Sequence, residues 1–119
     1  MFSQQKRVLP ILLSVLFGTV SLFSVATAAS VQQLYTNLCA TCHGVEGKGN
    51  GPAGVTLNPK PADFTDCAVM QDLSDTALAT TIKQGGVGVG KSPLMPPFGT
   101  TLTDTQIREL VTYLRGFCK

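Results

Sequence analysis

Two thiols and an imidazole stand together at Cys39-Ala40-Thr41-Cys42-His43, and His43 is the sole histidine of a 119-residue sequence with four cysteines. With one histidine, a Ser/His/Asp catalytic set and a separate histidine metal site cannot coexist. The Cys-x-x-Cys-His spacing is that of a c-type haem attachment site. Thiols three positions apart on a helical turn can add to the two vinyl groups along one side of a porphyrin. The next residue is then held under the iron, where its imidazole becomes the proximal ligand. Three other chemistries compete for these residues. A thioredoxin-like redox pair needs a βαβ frame, and the sequence offers no credible strand. A zinc site needs four ligands, and Cys67, Cys118 and one histidine are poorly spaced for it. A structural disulfide inside a four-residue loop is strained. Haem attachment is the reading the sequence favours.

Electron transfer through haem iron calls for a sixth ligand. No second histidine exists, so the candidates are Met70, Met95 or an open position. Met95 lies in Ser92-Pro93-Leu94-Met95-Pro96-Pro97-Phe98. Prolines on both sides hold an extended loop that can present one side chain rigidly. Met70 just precedes a predicted helix and reads as core filler. The expected axial pair is His43 and Met95. A thioether sulfur prefers the ferrous ion, and burial disfavours the extra ferric charge, so both raise the reduction potential.

Gly85-Gly86-Val87-Gly88-Val89-Gly90-Lys91-Ser92 satisfies G-x-x-x-x-G-K-[ST] letter by letter. A phosphate-binding loop must follow a buried strand and open a helix. Here a predicted helix comes first and prolines follow, so nucleotide binding is set aside. The stretch reads instead as a flexible approach that delivers Met95. The remaining cysteines, Cys67 and Cys118, read first as a disulfide in an exported domain. Free or intermolecular thiols are the alternative.

Three helices must position these groups. Ser30 and Gln33 have capping-box spacing, and Val31, Leu34, Tyr35 and Leu38 repeat on one face into Cys39. Residues 44–66 are rich in glycine and proline and read as an ordered loop. Ser74 caps a second helix, with Leu73 and Leu78 at its staple positions and a stop at Gly85. Residues 85–100 form a second loop. Thr103 and Gln106 box the last helix, whose Ile107, Leu110, Val111 and Leu114 face inward to about Gly116.

Lys6 and Arg7 precede an apolar run, Val8 to Val25, that ends in Ala26-Thr27-Ala28. This reads as a secretory signal peptide over residues 1–28, with a retained membrane anchor as the alternative. The domain is then 29–119, and its location periplasmic. Losing the leader removes two basic residues and leaves seven basic side chains against seven acidic ones. The neutral balance and low charge content argue against a nucleic-acid partner. So short a domain, with no tryptophan, needs a disulfide, a metal or a large cofactor to complete its core.

The order of these features resembles a small class I mono-haem cytochrome c, and the similarity covers residues 30 to 119. The resemblance implies an all-α fold of three main helices and long loops around one covalent haem c. It implies that the first and last helices cross, with Leu34 or Tyr35 against Leu110, Val111 and Leu114. It also implies that the Pro52 carbonyl, in a Gly-Pro pair after the histidine, accepts a hydrogen bond from His43 Nδ1. Tyr35, Lys60 and Arg108 are the candidates for the haem propionates. The expected function is single-electron shuttling between redox proteins of a respiratory or dehydrogenase chain, with no enzyme activity of its own. The alternatives are a haem subunit of a larger oxidoreductase complex, or a ligand-binding or peroxidatic protein if Met95 is labile.

Overall fold

The computed structural model describes residues 29–119; the signal peptide expected over residues 1–28 lies outside the described residues. Five helices follow in order: α1 (Val31–Leu38), α2 (Ala40–His43), α3 (Cys67–Asp72), α4 (Asp75–Gly88) and α5 (Asp104–Arg115). Among the described residues there is no strand, and no helix long and apolar enough to cross a membrane. The all-α class expected from the sequence is the one observed.

The caps begin the helices where the sequence places them. Ser30 and Thr103 each close a capping box, with Gln33 and Gln106 returning to the cap backbone. Ser74 accepts from the Ala77 N–H. Helix α5 buries Ile107, Leu110, Val111 and Leu114. Each such aliphatic side chain contributes about 1.5–3 kcal/mol on leaving water. Its partners are α1 and α4, so α5 is the spine of the fold.

Three details differ from the sequence reading. Helix α3 was not expected; at six residues it is too short to show a period, and its signal is the Asp66 cap, which accepts from the Ala68 and Val69 N–H groups. Helix α4 breaks at Gly85, as expected, but winds one further turn to Gly88, because Gly85 takes φ 71° and lets the chain resume. The α1–α5 contact expected through Tyr35 is present, and it gains aromatic partners that the sequence reading did not name. Tyr35 lies 5.2 Å from Tyr113 and 5.1 Å from Phe117, while Leu34 and Leu38 border the same core.

Cys67 and Cys118 form a disulfide across a separation of 51 residues. It ties the start of α3 to the residues after α5. Arg115 reinforces the junction by donating to the carbonyls of Met70 and Leu73 and pairing with Asp75 at 2.8 Å.

Candidate functional site

Helix α2 is a single turn, separated from α1 by an irregular Cys39 at φ −114°. His43 N–H still bonds to the Cys39 carbonyl at 2.9 Å. Cys39, Cys42 and His43 therefore stand at i, i+3 and i+4 and share one helical face. All three line a cavity of about 490 Å³, whose far walls come from α4, α5 and the loop after α4. Met95 lines the same cavity. Met70, the competing methionine, is 2% exposed within the core and is not among the cavity residues.

The loop after His43 folds back on α2. The N–H groups of Gly49, Gly51 and Ala53 bond to the carbonyls of His43, Cys42 and Thr41 at 2.8–3.0 Å. They satisfy the acceptors that a helix end leaves open. Gly51 must be glycine, since a Cβ there would sit 2.4 Å from two backbone oxygens. This docking corrects the expectation for Pro52. Its segment lies flat against the end of α2, and Pro52 is exposed and outside the cavity. His43 Nδ1 instead meets the Ala62 carbonyl at 3.1 Å. The chain bends at Asn58 and Pro59, across a cis peptide, before it reaches Ala62, and no local pattern in the sequence marks this contact.

Burial lowers the His43 pKa, against a smaller opposing pull from the Ala62 carbonyl. The ring is neutral at pH 7. With Nδ1–H donating to Ala62, the lone pair sits on Nε2, the tautomer a metal ligand needs. Burial, and then the neighbouring Cys42, push the Cys39 thiol up to about 11. A disulfide-exchange pair needs the opposite shift. The lack of strands among the described residues and the raised thiol together set the thioredoxin reading aside.

The loop that carries Met95 is seated on the end of α4. Phe98 and Gly99 donate to the Ile82 and Lys83 carbonyls at 2.9 and 3.0 Å, and Gly86 donates to the Met95 carbonyl at 2.9 Å. A Cβ on Gly86 would lie 1.8 Å from the Ser92 oxygen. The glycine run is thus a close backbone seat, with a helix before it and no strand. Of the three propionate candidates, only Lys60 lines the cavity. Tyr35 donates to the Gly44 carbonyl at 2.7 Å, and burial holds it protonated. Arg108 bonds to Thr105 at the outer face of α5. Lys91, which sequence reasoning missed, is the second charged residue of the cavity.

The residues fit a haem. The cavity wall is mostly aliphatic, aromatic and proline side chains, with two thiols and one imidazole on one side and a thioether in the same chamber. Among the described residues, no three His, Cys, Asp or Glu side chains are arranged to hold a metal ion by themselves. An iron held here needs its equatorial donors from a macrocycle.

Comparison with known proteins agrees. The family described as "Cytochrome C oxidase, cbb3-type, subunit III" matches residues 26–114. Cytochrome c-554(547) of Halothiobacillus neapolitanus is 32% identical over 92 residues, covering 73% of this chain and 92% of that protein. The cbb3-type cytochrome c oxidase subunit FixP of Bradyrhizobium diazoefficiens is 29% identical over 89 residues, covering 75% of this chain. That alignment spans only 27% of FixP. Among solved structures, the KustC0563 c-type cytochrome superposes with a TM-score of 0.61 at 30% identity, covering 76% of this chain and all of the other.

Proposed function

We infer the working role of this protein from its family, since the chain belongs to the c-type cytochromes in the family described as subunit III of cbb3-type cytochrome c oxidase. It binds one haem c covalently and serves electron transfer, alone or as part of a complex. The haem supplies a ferric/ferrous couple. The residues of the chain supply attachment, axial ligation and a dry cavity.

Our proposal is a freestanding exported shuttle. Cys39 and Cys42 would anchor the haem through thioethers, and His43 and Met95 would hold its iron. The observation that carries this reading is the single chamber into which α2 and the loop after α4 bring all four groups. Ala62 holds the His43 tautomer. Gly86 fixes the backbone of Met95. The wall formed by Leu38, Leu78, Ile82 and Leu110 excludes water. With His43 and Met95 both committed to holding the iron, the site would leave no place for a substrate, and the protein would perform no catalysis of its own. Lys60 and Lys91 are the cations placed to offset the propionates.

The near-complete match to cytochrome c-554(547) favours an independent carrier. The second reading, a haem subunit of a larger oxidoreductase, is favoured by the family description and by the FixP relatives. Purification from the native membrane and soluble fractions separates the two: a carrier is recovered alone, and a subunit copurifies with its complex.

The test of the site is an absorption spectrum of the haem-loaded protein, ferric and ferrous, with and without carbon monoxide, beside Met95→Ala. The expected parent is low-spin, shows the ferric iron–sulfur charge-transfer band and does not bind carbon monoxide. The variant loses the band and binds it. A parent that binds carbon monoxide readily overturns the closed His43/Met95 site and replaces the shuttle by ligand-binding or peroxidatic chemistry.

A further inference from the structure

The His43 imidazole meets the core through an aromatic ring. It stacks on Phe64 at 4.6 Å between centroids and 17° between planes. Phe64 continues to Phe117 at 6.4 Å and 21°. Phe117 is wedged in turn by Tyr35 at 5.1 Å and Tyr113 at 5.3 Å. Gly47 sits against the same ring, where a Cβ would come within 2.9 Å of Phe117. The Gly47 carbonyl accepts the Phe64 N–H at 2.7 Å. The stack is therefore closed on its sides by the loop that follows His43.

The Phe64–Phe117 part of this arrangement is pinned by one covalent bond. Cys67 is three residues after Phe64, Cys118 directly follows Phe117, and the two cysteines are bridged. A hydrogen bond from Nδ1 to Ala62 fixes the direction of the ring nitrogen but leaves the ring free to tilt about that bond. A face-on aromatic neighbour removes that freedom. Ala62 and Phe64 are two residues apart, so one short segment supplies both restraints.

We propose that Phe64 is a positioning residue for the His43 ring plane, and that the Cys67–Cys118 bridge holds Phe64 in place by locking it against Phe117. The proposal rests on the reading of His43 as axial ligand. An imidazole plane that can tilt changes its overlap with the iron orbitals, so the consequence appears in the electronic signature of the metal as well as in stability.

The experiment uses the haem-loaded full chain, with Phe64→Leu, Phe64→Tyr and the double variant Cys67→Ala/Cys118→Ala. The ferric electron paramagnetic resonance g-values, the midpoint potential and the urea unfolding midpoint are read for each. Phe64→Leu is expected to shift the g-values and the potential; Phe64→Tyr, which keeps the ring face, restores both. The bridge-free protein shifts them in the same sense as Phe64→Leu, by a smaller amount. Unchanged g-values and potential in Phe64→Leu and in the bridge-free protein, with only the unfolding midpoint lowered, overturn the proposal and leave Phe64 as core packing. Where Phe64→Leu fails to take up haem, the bridge-free protein decides alone. A parent spectrum without a nitrogen axial ligand overturns the reading of His43 itself, and is told apart because the parent then already differs from a histidine-ligated haem.

Discussion

The loop that follows α2 and the loop that follows α4 are anchored by one device and finished by different ones. Each folds back so that its own N–H groups fill the open carbonyls of the helix before it: Gly49, Gly51 and Ala53 on α2, Phe98 and Gly99 on α4. Each needs glycine where the backbones meet. The first loop then acquires an aromatic stack and ends beside a disulfide. The second acquires neither; exposed apolar side chains do not distinguish the two, since Val45 and Val55 stand out of the first as Leu94 does out of the second. The difference teaches which ligand yields first. The histidine side is over-determined, while the methionine side is held by a few backbone hydrogen bonds. Local opening starts where buried contacts are fewest.

The largest test of that contrast is the disulfide. Closing a loop of 51 residues stabilises the chain by about 4 kcal/mol on loop-entropy grounds. Cys67→Ala/Cys118→Ala should lose an amount of that order in urea unfolding while keeping low-spin methionine ligation at room temperature. If the iron–sulfur band disappears while the protein remains folded, the two sides are not independent and the contrast fails.

Paired glycine substitutions come next. Gly86→Ala places a Cβ 1.8 Å from the Ser92 oxygen, and Gly51→Ala places one 2.4 Å from the oxygens of Ala40 and Thr41. Overpacking of this kind costs about 1–3 kcal/mol. The spectroscopic outcomes should part. Gly86→Ala should yield a protein that attaches haem but binds carbon monoxide in the ferrous state. Gly51→Ala should instead lower the yield of attached haem, since it disturbs the turn that presents both thiols. Matching spectra for the two variants would erase the asymmetry.

The sequence reading reached the chemistry further than it reached the supports. The three long helices were legible because caps, staples and apolar periods all agree in them. Cys39, Cys42 and His43 were legible because their spacing is local. The family carry-over for Pro52 failed because a hydrogen bond nineteen residues away in the chain, at Ala62, depends on how the loop docks. Phe64 and Lys91 were hidden for the same reason: neither belongs to a periodic element, and their neighbours come from distant segments. Arg115 was missed because its acceptors are backbone carbonyls of α3, a helix too short to be seen in the pattern.

Arg115 offers a test of intermediate size, because it binds both halves at once. Its guanidinium holds the end of α3 and pairs with Asp75 at the start of α4. Arg115→Ala strands part-buried carbonyls, which costs about 1–3 kcal/mol. The thermal midpoint should fall with the charge-transfer band intact up to the transition. Loss of the band well below the midpoint would mean that the methionine loop draws its stability from α3 and that the two sides are not independent.

The smallest expected effect concerns the exposed side of the second loop, which is the docking face we propose for redox proteins. Residues 29–119 carry equal numbers of acidic and basic side chains. Three of these pairs are satisfied within the chain, Lys48 with Glu46, Lys83 with Asp104 and Arg115 with Asp75. Long-range steering by net charge is therefore weak. What remains exposed is apolar, Leu94 on the cavity wall and Val87 in the last turn of α4, with Lys60 and Lys91 lining the same cavity. Raising ionic strength from about 10 to 150 mM should slow electron transfer to a redox protein by a factor of about 3 or less, because the screening length shortens but little net charge is there to screen. Val87→Ser/Leu94→Ser should slow the same reaction more than salt does, while stability shifts by no more than about 0.5 kcal/mol each, as for other surface changes. Stopped-flow rates against salt decide between the two. A steep salt dependence with an unaffected double serine variant would move the docking face away from the methionine loop and leave that loop with the sixth ligand as its sole task.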